Sequence, residues 1–217
     1  MINKKIVKRR DAAATQDRIL KAAKKEFAKK GMGGARVDEI ALKAHANKRM
    51  IYHYFGNKEA LFLRTLEDAY VDIRTAEQRL ELTKMPAKQA MEKLVEFTWR
   101  YYVANPEFIT LVNSENLHRA KHLKKSKVIE DISQKFVSMV GQLLQRGVEE
   151  GVFRSGIDPV QLNITIAAIG YYYLTNRFTG SIVYQRDLSS PDAFDKRLQF
   201  NLDTVNRIIC KPELLEN

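Results

Sequence analysis

Apolar residues recur three and four positions apart along nearly the whole chain, and no stretch alternates apolar with polar residues over the length of a strand. That period predicts helices throughout. Ile19, Leu20, Ala23 and Phe27 form the first stripe, on a helix that starts at Asp11 or Thr15 and stops at Gly31. Val37, Ile40 and Ala41 predict a short helix over 37–44, and a second short one runs from Lys48 to about Tyr54. A longer helix follows from Lys58 to about Leu80, with Phe62, Leu66, Ala69, Ile73 and Leu80 on its buried side. Beyond Pro86, the residues Met91, Leu94, Val95, Thr98 and Tyr102 mark a helix over 87–103. Asn105-Pro106 reads as an N-cap before the proline favoured at the first helical position, opening a helix to about Lys121. Val128, Ile132, Phe136, Met139, Val140, Leu143 and Leu144 carry another to about Glu150, closed by Gly151. Asp158-Pro159 repeats the cap-and-proline start, and Phe194, Leu198, Leu202, Val205 and Ile209 draw a last helix from Asp192 to about Cys210. The expected fold class is all-α with about nine helices. An N-terminal three-helix, helix-turn-helix domain (residues 1–57) is joined to a larger helical domain (residues 58–217).

The two short helices flank a three-residue turn, and its residues suit a helix-turn-helix. His45 sits where the backbone must leave the first helix in a left-handed conformation, which His tolerates better than most residues. Asn47 can cap the second helix by accepting from a free N–H in its first turn. A helix of about seven residues is marginal in water, so packing must hold it. Ile51 and Phe55, four apart, are expected to bury against the first helix, leaving Lys48, Arg49, Tyr52 and His53 outward. Those donors are of the kind that read a major groove. On spacing alone, the same residues also fit an ordinary solvated basic turn in a helical hairpin.

Charge changes this picture. The formal net charge is +11, and residues 1–58 alone hold 16 Lys/Arg against 5 Asp/Glu, leaving 21 of each in the rest of the chain. A basic domain on a neutral body is the electrostatic footprint of a nucleic-acid-binding module. Lys4, Lys5, Lys8, Arg9 and Arg10 give residues 1–10 the composition of a disordered arm, suited either to lie along phosphates or in a minor groove, or to act as a solubilising tail.

The run Ile40-Ala41, Ala44, then Ile51 to Leu61, resembles the DNA-binding segment of the TetR family of bacterial transcriptional regulators. That family shows a Tyr, a Phe three residues on, a Lys three further and an apolar residue three beyond, here Tyr52, Phe55, Lys58 and Leu61. Length and the N-terminal placement of the segment are similar too. Three positions depart from the pattern: His45 stands for the usual Gly, Asn47 for Ser or Thr, and Arg36 for Thr or Ser. Asn47 keeps the capping chemistry, whereas Arg36 cannot cap the first helix and is expected to reach a phosphate instead.

The resemblance implies a homodimeric regulator bound to double-stranded DNA at a pseudo-palindromic operator and released by a small-molecule effector of unknown identity. Lys48, Arg49, Met50 and His53 would face base edges, with Asn47 supporting them, while Arg36, Tyr52 and Lys58 would hold phosphates. The helical body would dimerise through its last two long helices, with Ile166, Ile169, Tyr173, Leu198, Leu202 and Val205 at the interface. An apolar pocket with a few polar groups is what an effector requires, and Trp99, Tyr102, Asn113, Asn116 and Tyr172 are the expected lining. A protein that binds nucleic acid without sequence preference, as a scaffold, is the alternative.

Other chemistries find less support. Glu115, His118 and His122 share a helix face, but Lys121, Lys124 and Lys125 crowd that end and would repel a cation, so an ionic contact to the DNA-binding domain is expected there. No Gly-rich phosphate loop, nucleophile elbow or HExxH motif occurs, no cofactor is called for, and the chain is not expected to be an enzyme. A single cysteine, Cys210, excludes an intramolecular disulfide, and no secretory leader is visible, so a cytoplasmic setting is expected. Residues Pro159 to Asn176 carry no charge over 18 positions, near the minimum for a membrane span. Their Gln, Asn, Thr and Gly content fits a helix buried between its own body and a partner instead.

Overall fold

The computed structural model describes the backbone of residues 2–214 and the side chains of residues 12–214. Nine α-helices follow one another among the described residues: α1 (Ile2–Gly34), α2 (Val37–Lys43), α3 (Lys48–Phe55), α4 (Lys58–Gln78), α5 (Ala87–Ala104), α6 (Pro106–Leu117), α7 (Lys127–Glu149), α8 (Pro159–Val183) and α9 (Pro191–Ile209). Single-turn 3-10 segments occur at Leu82–Lys84, Leu123–Lys125 and Pro212–Leu214, and Phe153 and Cys210 form one isolated antiparallel bridge. No helix among the described residues is long and apolar enough to cross a membrane. The charge-free segment belongs to α8, which runs on past Asn176 and takes in Arg177.

Local chemistry explains where the helices stop and start. Gly31 takes φ 65, breaking the winding of α1 at the expected place. The backbone of the basic stretch before residue 11 continues α1 as helix, where composition suggested a disordered arm; its side chains, and with them the expected phosphate contact, lie outside the described residues. α6 stops at Leu117, short of the expected Lys121, because Arg119 and Ala120 turn left-handed at φ 55 and 57. Asn105 does not open α6 as expected: its Nδ2 donates back to the Tyr101 carbonyl at 3.0 Å, closing α5. α9 starts at Ser190-Pro191 and not at Asp192, with the Ser190 hydroxyl accepting from the Ala193 N–H at 3.3 Å. That is the cap-and-proline signal of Asp158-Pro159 again, where the Asp158 carboxylate accepts from Val160 and Gln161.

The chain divides into two compact units, with divisions inside α4, between α5 and α6, and inside α7. Unit 1 takes residues 1–72 and 106–130, so α6 belongs with the helix-turn-helix. Its core holds Ile19, Ala23, Phe27, Ile40, Leu61, Phe62, Leu66 and Leu111, all fully buried. Phe27 and Phe62 meet edge to face at 5.0 Å between ring centroids, and Tyr70 meets Phe108 likewise at 5.3 Å. The Ser126 hydroxyl donates to Glu67 at 2.6 Å and accepts from the Ile129 N–H, which starts α7.

Unit 2 takes residues 73–105 and 131–217. Met91, Leu94, Val140, Leu143, Phe153, Leu162, Val205 and Ile209 form the middle of its core. Pro86 offers α5 no side-chain cap, and the Glu150 carboxylate arriving from the end of α7 accepts the free Ala87 N–H at 2.7 Å. The Phe153 ring lies so close to α7 that a Cβ on Gly147 would fall 1.9 Å from its Cδ2.

Replacing Gly147 by Ala forces that ring out of its seat and is expected to lower stability by about 1–3 kcal/mol. Urea denaturation measures this, and an unchanged midpoint would refute the packing described for Phe153.

Candidate nucleic-acid interface

α2 and α3 are built around the turn at residues 44–47. His45 takes φ 49, the left-handed conformation expected of it. The Asn47 side chain accepts from the Met50 N–H at 2.9 Å, capping α3 as its sequence position suggested. Arg36 makes no side-chain cap on α2; it is exposed and extended at φ −117, so its guanidinium is free of the helix. The orphan donors at the start of α2 instead lie beside Asp38 and Glu39, whose negative charge suits a helix N-terminus.

Ile51 is 1% exposed and anchors α3 from below. Phe55 does not share that role: it is half-buried, turned edge-on to Tyr54 at 6.4 Å between centroids, because it closes the helix next to Gly56 at φ 82. The seat of α3 is therefore Ile51 together with the polar clasp at its N-terminus. Lys48, Arg49, Tyr52 and His53 are all exposed, as a reading face requires. Met50 is half-buried, and its backbone N–H is taken by the Asn47 cap. Lys58 donates to the Gly33 carbonyl at 3.2 Å at the foot of α4, whose first turn is capped by Asn57 through the Ala60 N–H at 2.8 Å.

Four polar contacts that spacing alone did not reveal hold this head together. Glu26 is wholly buried in α1, and its carboxylate meets Lys30 at 2.7 Å and Lys43 of α2 at 2.6 Å. The close ammonium of Lys30 and the hydrogen bond from Lys43 hold its carboxyl down at about 2. The available signal was compositional, since Glu26 is the sole acid between Asp17 and Asp38 in a lysine-rich run. Arg18 donates from Nε to the Ala44 carbonyl at 3.2 Å, satisfying the end of α2 from α1. Lys48 meets Asp38 at 3.0 Å across α2 and α3, and that hydrogen bond raises the ammonium above its usual range.

Glu115, His118 and His122 are absorbed by local structure. Glu115 accepts from the backbone N–H groups of His122 at 2.8 Å and Leu123 at 3.0 Å, and from His122 Nδ1 at 2.7 Å. Burial pushes its carboxyl up, but these hydrogen bonds outweigh that and leave it below the usual carboxylate range. His118 Nδ1 faces the Ser114 carbonyl at 2.6 Å, and no cluster that could hold a metal occurs among the described residues. The ion pair at this end is Lys121 to Glu59 of α4, at 3.0 Å, just beyond the residues 1–57 where the contact was expected.

The residues expected to line an effector pocket do not meet in one cavity. Asn113 and Asn116 lie in unit 1, and the exposed Asn116 donates to its own helix at Val112. Trp99 and Tyr102 are buried in unit 2, packed against the place where Gly170 has no side chain, while Tyr172 is 63% exposed. Unit 2 has a cavity of about 420 Å³ bordered by Tyr172, Tyr173, Asn176, Val183, Tyr184 and Arg197, and another of about 310 Å³ between the end of α4 and α7.

The residues expected at a dimer interface divide as well. Ile166, Leu198 and Val205 are buried within the chain, and Ile169, Tyr173 and Leu202 are half-buried. The apolar groups that α8 turns outward are Val160, Ile164 and Tyr172, then Phe178, Ile182 and Val183; Phe200 does so on α9. Because α8 is apolar all round, its pattern could not say which face looked out.

Replacing Asn47 by Ala removes the α3 cap at a cost of about 1 kcal/mol, while Ser keeps it. The Ala variant is expected to bind duplex DNA more weakly and the Ser variant as the parent does, by fluorescence anisotropy; equal loss in both would deny the cap its role. For Glu26, a carboxyl lowered in the folded state stabilises the protein above the unfolded value near 4.5, and this is lost as pH falls towards 2. Glu26→Gln is expected to flatten acid denaturation in that window by on the order of 2–3 kcal/mol, and an unchanged acid limb would exclude the charge clasp.

The chain matches the family model described as bacterial regulatory proteins, tetR family, over residues 19–65, and the one described as tetracyclin repressor-like, C-terminal domain, over residues 88–205. It is similar to the HTH-type transcriptional repressor NicS of Pseudomonas putida, 39% identical over 201 residues that cover 93% of this chain and 95% of that one. It is similar also to the HTH-type transcriptional repressor SCO4008 of Streptomyces coelicolor, 38% identical over 108 residues, 50% of this chain and 53% of that one. Among solved structures, the transcriptional regulator SCO4942 of Streptomyces coelicolor has a TM-score of 0.68 at 24% identity, covering 91% of this chain and 99% of that one. A transcriptional regulator of Saccharomonospora viridis solved in complex with choline has a TM-score of 0.69 at 18% identity, covering 90% and 97%. At such identities these structures speak for the fold alone. With both halves matched and a relative at 39% identity over nearly its whole length, the chain belongs to the TetR family of bacterial transcriptional regulators and is a DNA-binding regulator.

Proposed function

We propose that this regulator is a homodimeric repressor, working in the cytoplasm, that leaves a pseudo-palindromic operator when a small molecule binds unit 2. The observation that carries this reading is the face of α3: four exposed side chains, Lys48, Arg49, Tyr52 and His53, on a helix fixed by the burial of Ile51 and the Asn47 cap. Arg49 and His53 offer donors to base edges, while Arg36, Tyr52 and Lys58 suit phosphates and set the register. To reach a phosphate, Lys58 has only to give up the Gly33 carbonyl, a single exposed hydrogen bond.

The outward stripe Val160, Ile164 and Tyr172 on α8, together with Phe200 on α9, supports dimerisation through these two helices. Two copies of α3 then meet half-sites related by the dimer's own symmetry. A ligand shifts that dimer only through its differential affinity for the bound and released arrangements. α4 is the route available to it, since the helix that begins at Lys58 in unit 1 ends at Gln78 in unit 2.

Competition between a palindromic promoter fragment and random duplex at physiological salt tests the sequence-specific reading. The palindrome is expected to win by at least about a thousandfold, and equal affinities would favour the non-specific scaffold. Replacing Lys58 by Ala should weaken binding to all sequences alike and reduce the salt slope by about 1, while Arg49→Ala should cost about 1–3 kcal/mol at one base position only. If neither change alters operator binding, the assigned face is wrong.

A further inference from the structure

The cavity of about 310 Å³ in unit 2 has a charged inner wall that surface pairing does not explain. Arg74 and Glu77 are one turn apart near the end of α4, where such a pair is normally solvated; here their side chains are only 17% and 4% exposed. Arg74 Nη1 donates to both Glu77 oxygens, at 2.7 and 2.5 Å, and its guanidinium lies 3.7 Å from the centre of the Phe136 ring. Arg74 Nε is buried and finds no acceptor among the described residues. Leu82, Ile132, Phe136 and Met139 supply the apolar remainder of the wall, and Lys135 of α7 lies at its edge.

A buried donor without an acceptor is unfavourable, and a guanidinium is shaped for a carboxylate. The volume lies at the lower end of what small ligands occupy. We infer, on the reading that unit 2 holds the effector, that this cavity is the effector site and takes a small organic monoanion, a carboxylate on an apolar body. Its carboxylate pairs with the Arg74 guanidinium in the cavity wall, and its body lies among Leu82, Ile132, Phe136 and Met139.

Charge balance gives the site a further property. Burial pushes the Glu77 carboxyl up to about 7, although Arg74 works against the shift. The other charges around it are Glu81, which is exposed and held by Lys84 at 2.6 Å, and Lys135; Arg146 of α7 donates to the Leu82 carbonyl at 2.8 Å. When Glu77 holds a proton, Arg74 is a buried cation without a counterion, and the ligand carboxylate supplies one. When Glu77 is ionised, two carboxylates compete for one guanidinium and repel each other. Binding therefore selects protonated Glu77: one proton enters from solvent onto Glu77 for each anion bound above its midpoint, and no covalent bond changes.

Benzoate and hexanoate, with benzamide and hexanamide as neutral counterparts, test this on the full-length protein by titration calorimetry between pH 6 and 8. Both acids stay ionised across that range. They are expected to bind at least tenfold tighter than the amides at pH 6 and to weaken about tenfold by pH 8, with proton uptake approaching one per ligand. Glu77→Gln should keep binding and lose the pH dependence. Arg74→Lys keeps the charge but removes the planar guanidinium and should weaken the acids at least tenfold. Ile132→Trp, which fills the cavity without touching the ion pair, should abolish binding with the melting transition retained. Acids that bind no better than amides, fail to bind at millimolar concentration, or bind Arg74→Lys and Ile132→Trp as they bind the parent overturn the site. Acids that bind in the expected pattern yet leave operator affinity unchanged uphold the site and refute the effector reading. Operator release by some other compound with no acid bound does the reverse.

Discussion

The aim of α3 depends on a buried carboxylate one helix away, for Glu26 draws Lys30 of α1 and Lys43 of α2 onto its two oxygens and so ties the first two helices together. Residues 1–58 carry an excess of eleven positive charges, and a compact body with that excess repels itself. An internal anion offsets part of that repulsion. α2 in turn supports α3, which at eight residues cannot persist alone. Arg18, reaching the Ala44 carbonyl, performs a related task at the other end of α2. The seating of α3 is thus set by polar contacts between helices as much as by the apolar contact under Ile51.

The turn of this head was legible because its chemistry is local. A capping Asn47 and a left-handed His45 act within a few residues of themselves, and both behave as their positions require. What could not be read was which neighbour a helix would meet. Phe55 sits at the right interval from Ile51 to be buried, yet it ends its helix and stays half-exposed. α6 was visible as a helix, but nothing in its sequence announced that it packs within unit 1. Ile166, Leu198 and Val205 lie on good apolar stripes, and the stripes turned inward.

The same limit hid Arg74 and Glu77. Acid and base three residues apart on a helix are the usual mark of a solvated face. Only the fold shows that Phe136 covers the guanidinium and that the carboxylate has lost its water. A charged pair is costly in such a place, and removing either partner alone would strand the other. The Glu150 cap on α5 is a milder case of the same kind, a helix terminus completed from a distant part of the chain.

The Asp38–Lys48 contact bears on how the head meets DNA at all. Any group of a duplex that engages Lys48 shares its ammonium with a carboxylate already in place at 3.0 Å. On the proposed reading of α3, the acid would thereby compete with the duplex for one of its cations.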